Sequence, residues 1–243
     1  PSNAKVHSYP LYEKYGLIWI WMGNTALADH QDIFEIEYYD NPSWGINRGD
    51  AMELECNYLL MCDNLLDPTH VAWVHAGSFG QAATKSAPLR VKKTNDGIIV
   101  HRWMLDVEPA PFYKKVVGFD GNCDRLQHYE VRYPSNALIK AVFTPAGTGG
   151  SEGKLHDDVF IMDSYNFMTP VTESKTRYYW FQLRNIRPDD SALSQLMTDD
   201  VQQAFEEDRN VLNEVQKGMT NKTSPHIDLP IDAGQLRFRR QLQ

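Results

Sequence analysis

Between Cys62 and Gly77 the chain reads CDNLLDPTHVAWVHAG. It sets Asp63, Asn64, Asp67, His70 and His75 among the apolar Leu65, Leu66, Val71, Ala72, Trp73 and Val74. Imidazoles and carboxylates are the usual protein ligands of divalent metals and the usual acid–base groups of active sites. On an ideal helix, at about 100° per residue, all five polar residues fall within roughly 140° of arc. The plain reading of such a stripe is a solvated face. Solvated faces are rich in Lys and Glu, and this one has neither, so the competing reading is a face that lines a cavity. His70 and His75 stand at i and i+5, about 140° apart on a regular helix. They can share one ion only where the helix is distorted. Pro68 supplies a cause, because it lacks an N–H and its ring clashes with the carbonyl of Asn64.

A second segment, DVQQAFEEDRNVLNEVQKG, reads as a helix from about Asp199 to Lys217 with Gly218 as its stop. Val201, Ala204, Phe205, Val211, Leu212 and Val215 mark its apolar stripe, and the position that completes the stripe is Asp208. A buried carboxylate without a partner costs several kcal/mol. Asp208 is therefore paired, metal-bound or wetted by a rotated helix. Two imidazoles and a carboxylate make the facial set of non-haem Fe(II) oxygenases, which leaves the opposite face of the metal open. Zinc could use the same three ligands.

These segments need a scaffold. Strand patterns cover 16–23, 32–39 and 51–56, followed by a hairpin over 89–105 whose Asn95-Asp96-Gly97 turn tolerates positive φ. Two further pairs follow, 126–133 with 137–145 and 158–170 with 176–185. Short loops between successive strands imply an antiparallel sheet, and a few helices set apart in sequence imply an α+β fold. The first helix is expected to run from just after residue 56 to about His75. Residues 146–158 read as a mobile Gly-rich loop, and 219–243 as an extended surface tail ending in RFRR.

The bulk numbers narrow the function classes. The 243 residues are 42% hydrophobic and 23% charged, enough for a sizeable core and too ordered in composition for global disorder. The net charge of −8, without a basic block, argues against nucleic acid and anionic membranes. No apolar run approaches the roughly 20 residues of a membrane span, and no signal peptide opens the chain. Cys56, Cys62 and Cys123 are too few and too irregular for a disulfide framework or a four-cysteine cluster, so a cytoplasmic location is expected.

DNLLDPTHVAWVH resembles the Asp/Asn-rich helix of Rieske non-haem iron oxygenases, with its D-x-x-H-x-x-x-x-H core. AFEEDRNVLNEVQ is similar to the C-terminal helix that supplies the third ligand there. PSNAKVHSYPLYEKYGLIWIWMG resembles the last strands of the Rieske domain, and MTPVTESKTRYYWFQLRN a sheet segment of the vanillate O-demethylase-type branch. The resemblance implies that His70, His75 and Asp208 hold a mononuclear Fe(II). It implies that Asp67 is the acid coupling that iron to a cluster histidine of a neighbouring subunit, and that Asn64 lies near the iron, with Asp63 the rival for that place. It also implies an antiparallel sheet of about seven to nine strands wrapped on a long C-terminal helix, a helix-grip or START-like domain. Residues 1–25 would be a remnant of the Rieske domain and crossover, and 26–243 the catalytic domain.

The same resemblance implies a homotrimer, a small aromatic substrate with O2, and a ferredoxin or flavin reductase as electron donor. The expected chemistry is hydroxylation or O-demethylation. Asn166 and Trp180, on predicted strands, are candidates to face the substrate, with ordinary sheet packing as the competing role. The family's 2Fe–2S cluster needs C-x-H and C-x-x-H pairs, and none of the three cysteines stands in one. The cluster therefore belongs to an N-terminal domain that either precedes Pro1 or has been lost, and the start in mid-strand favours the first. Without the cluster, the chain is expected not to turn over with its natural donor. Two rival readings share these residues: a metal-dependent hydrolase using a metal-bound water, and a metal-free ligand-binding module.

Overall fold

A computed structural model describes residues 4–85, 87–116, 120–150 and 155–242. The chain divides into two compact units, Pro1–Asn41 and Pro42–Gln243.

In the first unit, β1 (Leu11–Lys14) pairs antiparallel with β2 (Leu17–Ile20). Their two-residue turn, Tyr15-Gly16, has φ of 61° and 71°, the left-handed pair that matches the twist of a tight hairpin. The strand expected over 32–39 does not form. A 3-10 turn occupies His30–Asp32. Beyond it Phe34 and Ile36 are buried in alternation, so the pattern correctly marks an extended segment. Among the described residues no strand pairs with it, however, and Tyr38 turns the chain at φ 65°.

The second unit is an antiparallel sheet against helices. Its strands are β3 (Gly45–Arg48), β4 (Met52–Leu54), β5 (Arg90–Lys93), β6 (Gly97–Val107), β7 (Cys123–Arg132), β8 (Asn136–Pro145), β9 (Phe160–Thr172) and β10 (Lys175–Arg184). The eight strands lie in the order β3-β10-β9-β8-β7-β6-β5, with β4 also on β10. Every pairing is antiparallel. The α+β architecture and strand number agree with expectation. The turn into β6 does not use the expected positive φ. Gly97 is needed there because a Cβ would sit 2.2 Å from the Val131 carbonyl of β7, a close approach that only glycine allows. Of the Gly-rich loop expected to be mobile, residues 151–154 lie outside the described residues. Just before them, Gly149 N donates to Asp124 Oδ2.

The helices are α1 (Tyr58–Asn64), α2 (Val71–Val74), α3 (Pro111–Val116), α4 (Ser191–Thr220) and α5 (Ala233–Gln241). α4 begins eight residues before the expected Asp199 and runs through Gly218. Its start is fixed by Asp190, whose side chain accepts from Leu193 N, a capping interaction. Leu193 and Met197 extend the buried stripe back to that cap. Val211 and Val215, expected in the stripe, are exposed. Near them the cover passes from the sheet to the segment before α1: Glu55 N donates to Asn213 Oδ1 and Asn57 N to Gln216 Oε1. That rotates the covered side of α4 away from both valines. The expected extended tail is instead a turn and the α5 helix. Phe238 is fully buried there, stacked on Tyr133 at 5.0 Å, so the RFRR run is one apolar anchor inside a basic helix rather than a solvated end.

Candidate metal centre

Two helical segments are pinned together before any ligand is considered. Asn57 caps α1 by accepting from Leu59 N, and its own N–H binds α4 at Gln216. The first helix then stops at Asn64 instead of continuing to His75. Leu66 N donates to the Asp63 carbonyl and Asp67 N to the Asn64 carbonyl, tighter turns than an α-helix makes. Pro68 has no N–H to continue the ladder. Asp67 Oδ1 accepts from Thr69 N at 2.7 Å, and Arg102 Nη2 caps the Pro68 carbonyl at 2.9 Å. The helix resumes as α2. The misfit of the five-residue interval is taken up at the other end of α2, where His75 leaves the helical range at φ −108° and ψ 34°, and the His70 and His75 rings meet at 5.2 Å, edge to face.

α4 brings Asp208 to the pair. Asp208 Oδ1 lies 3.6 Å from His70 Nε2 and 3.2 Å from His75 Nε2. One ligand atom from each of the three residues falls within 4.8 Å of the others. The side chains of Asp208 and His75 are 5% and 6% exposed, and that of His70 is 13% exposed. The opposite ring nitrogens are occupied. His70 Nδ1 pairs with the Asp67 backbone carbonyl, and His75 Nδ1 with Glu207 Oε2 at 2.7 Å. Acceptors on both Nδ1 atoms favour the tautomer that turns both Nε2 lone pairs inward.

A buried carboxylate oxygen then faces two lone pairs, and that Oδ1 has no well-aligned hydrogen-bond donor. Such a group of acceptors needs a cation or an added proton between them. The proton alternative falls on His75. Burial pulls its pKa down, but the Asp208 and Glu207 carboxylates outweigh burial and hold it above the ordinary imidazole value. The donor set, its burial and the orphaned oxygen fit a divalent metal.

A cavity of about 80 Å³, open in part to solvent, lies beside the three ligands. Its roof is formed by the helices, and includes Asn64, Val71 and Phe205. Its floor is one face of the sheet, and includes Tyr129, Ile139 and Met162. Asn64 lines it with a buried, unpaired Nδ2. Asp63 goes elsewhere, to a side-on ion pair with Arg239 of α5. Asn166 and Trp180 occupy the same sheet face as the cavity but do not line it. Asn166 is held by Tyr178 Oη, which donates to its Oδ1 at 2.6 Å, and Trp180 packs edge-on against Phe205. The cavity begins one step along each strand, at Ser164 and Gln182.

Sequence reasoning missed Glu207 and Arg125. Glu207 falls off the apolar stripe of α4, where charge reads as solvated, although a metal-binding histidine needs an acceptor for its second nitrogen and Glu207 adjoins Asp208. Arg125 sits just before the predicted start of its strand, on an inward face of β7 that reads Cys123, Arg125, Gln127, Tyr129 and Val131. That mixture gives no clean period-2 signal.

Residues 54–243 match the family described as the vanillate O-demethylase oxygenase C-terminal domain. The chain is 33% identical over 238 residues to the toluene-4-sulfonate monooxygenase system iron-sulfur subunit TsaM1 of Comamonas testosteroni, covering 96% of this chain and 68% of that protein. It is 32% identical over 244 residues to the vanillate O-demethylase oxygenase subunit of Pseudomonas sp. (strain ATCC 19151), covering 98% and 74% respectively. Its fold matches the crystal structure of dicamba monooxygenase bound to 3,6-dichlorosalicylic acid with a TM-score of 0.89, at 24% identity, over 100% of this chain and 71% of that one. Both sequence relatives are named as subunits of oxygenase systems. No helix among the described residues is long and apolar enough to cross a membrane. The chain belongs to the vanillate O-demethylase oxygenase C-terminal domain family and is an oxygenase catalytic domain.

Proposed function

We propose that this domain hydroxylates or O-demethylates a small aromatic compound with O2, and that His70, His75 and Asp208 hold a mononuclear Fe(II). The observation that carries the reading is Asp208. It is a buried carboxylate with no Lys or Arg partner among the described residues, and its unpaired oxygen faces two imidazoles. The names of the relatives, a toluene-4-sulfonate monooxygenase system and a vanillate O-demethylase, support the substrate class. Iron in such a site supplies O2 activation. The protein supplies geometry: the Asp67 carbonyl and Glu207 orient the two rings, and the sheet and α4 would hold the substrate in a largely apolar cavity.

Further roles follow from the family. We place Asp67 between the mononuclear site and a cluster histidine of a neighbouring subunit in a homotrimer. The 2Fe–2S cluster would reside in a separate N-terminal domain, with residues 1–25 as its end and 26–243 as the catalytic domain. A ferredoxin or flavin reductase would deliver electrons, and the enzyme would work in the cytoplasm.

Anaerobic Fe(II) titration tests the site. The expected result is a bound iron and a raised melting temperature, both lost in His70→Ala and Asp208→Ala. With the cluster domain and a reductase present, O2 uptake should yield formaldehyde from methoxybenzoates. Zinc retained with ester hydrolysis and no O2 uptake would replace this reading with a hydrolase. No response to any divalent metal would replace it with a ligand-binding module.

A further inference from the structure

Arg125 is 2% exposed and lines the cavity that holds the three candidate ligands. A buried guanidinium without a counter-charge is costly, and among the described residues no carboxylate lies within ion-pairing distance of it. Asp124, its neighbour in sequence, points to the other face of β7 and accepts from the backbone N–H groups of Asp106 and Gly149. Of the three guanidinium nitrogens, only Nη1 makes hydrogen bonds among the described residues, to Gln81 Oε1 at 2.6 Å and the Phe79 carbonyl at 3.3 Å. Nε is fully buried with no acceptor.

The group is also held in place. Its Cζ lies 4.8 Å from the Tyr113 ring and 5.2 Å from the Phe143 ring. Burial raises the Tyr113 phenol pKa and Arg125 pulls it back, yet no well-formed hydrogen bond joins the two. The guanidinium is therefore fixed by stacking and at Nη1, while its Nε–Nη2 edge is unused. That edge is the one with two parallel N–H bonds, matched to an oxyanion. The same chain shows the edge filled elsewhere: Arg239 binds Asp63 through Nε at 3.0 Å and Nη2 at 2.5 Å.

We propose that Arg125 anchors the anionic group of the substrate, so that this cavity selects an aromatic compound bearing a carboxylate or a sulfonate over its neutral analogues. The proposal rests on the oxygenase reading of the same cavity for the identity of its occupant as substrate. The aromatic body has matching walls in Phe79, Phe205 and Ile139. The oxyanion supplies the counter-charge that the Arg125 guanidinium lacks among the described residues.

Calorimetric binding to the Fe(II)-loaded full chain, without O2 or reductant, tests it. The probes are 4-methoxybenzoate, 4-methoxybenzenesulfonate and the neutral methyl 4-methoxybenzoate. The unsubstituted protein should bind at least one of the two anions tenfold or more tighter than the ester, and the two anion arms decide which oxyanion fits. Arg125→Gln should cut that preference at least tenfold while changing ester binding less than threefold. Arg125→Lys, which keeps the charge but loses the fork, should recover part of it. Melting curves identify variants that fail to fold, in which case the preference in the unsubstituted protein decides. Equal binding of anions and ester by that protein, or a preference unchanged in a folded Arg125→Gln, would overturn the proposal. Iron content is read in the same samples: iron retained with no anion preference sinks this inference alone, whereas anion preference without iron sinks the oxygenase reading alone.

Discussion

Glu207→Ala isolates the orientation of a metal ligand from ligation itself. Glu207 touches the site only through its 2.7 Å contact with His75 Nδ1, so the variant leaves all three candidate ligands in place. Partners of this kind tune metal affinity by about ten- to hundredfold. The Glu207 side chain is 35% exposed, and solvent weakens an exposed charged contact toward about 0.2–1 kcal/mol. The lower end of the range is therefore expected: Fe(II) affinity about tenfold weaker, or about 1.4 kcal/mol. Glu207→Gln retains a carbonyl acceptor for the imidazole N–H and should cost about threefold, the charge-assisted share. The variant also leaves the buried His75 Nδ1 without its acceptor, so the metal-free melting temperature should fall slightly even though Ala is the best helix former. The assay is anaerobic Fe(II) titration against a chelator of known affinity, with His75→Ala as the reference for full loss. Glu207→Ala within twofold of the parent, alongside a His75→Ala that no longer binds, would refute the claim that this contact positions the ring.

Other outcomes follow from the same geometry. Phe238→Ala should lower unfolding free energy by about 3–5 kcal/mol, read by urea denaturation, because the ring is fully buried against Tyr133; a loss below about 1 kcal/mol would mean that α5 is not docked. Arg239→Gln should destabilise the fold by about 1–3 kcal/mol, since it leaves the half-buried Asp63 carboxylate unpaired, with iron retained. Loss of iron in that variant would give Asp63 a part in the metal site. Asp67→Asn should keep its iron while product formed per electron consumed falls, because the ring of His70 is held by the backbone carbonyl and not by the Asp67 side chain.

Much of the site was legible because metal ligation uses few residue types at constrained spacings. Asp208 stands out as a carboxylate completing an apolar stripe, and the His70–His75 interval demands a helix defect, which the structure supplies at His75 rather than at Pro68. Both inferences needed only local periodicity. The elements that depend on distant partners were harder to read. Alternation over 34–37 is visible in the burial of Phe34 and Ile36, yet a strand also needs an edge to pair with, which no local pattern reveals. The exposure of Val211 and Val215 depends on where Asn213 and Gln216 meet the segment before α1, some 158 residues away in sequence. Asn166 and Trp180 lie on the sheet face that carries the cavity, but Tyr178 holds the first and Phe205 packs on the second, contacts that no local pattern reveals. Arg125 and Glu207 were missed because charge on an isolated segment reads as surface, and only the packed structure reveals which charges turn inward.

The break between α1 and α2 makes the two imidazoles unequal under selection. His75 depends on a neighbour that any codon change can alter, so its donor strength is open to adjustment by substitution. His70 leans on a main-chain oxygen, which every amino acid carries. Side-chain replacement cannot delete that support; only a shift in the path of the chain can. An alanine scan would therefore report the second histidine's brace and pass silently over the first. The proline that bends this segment also shields one half of the centre from point mutation.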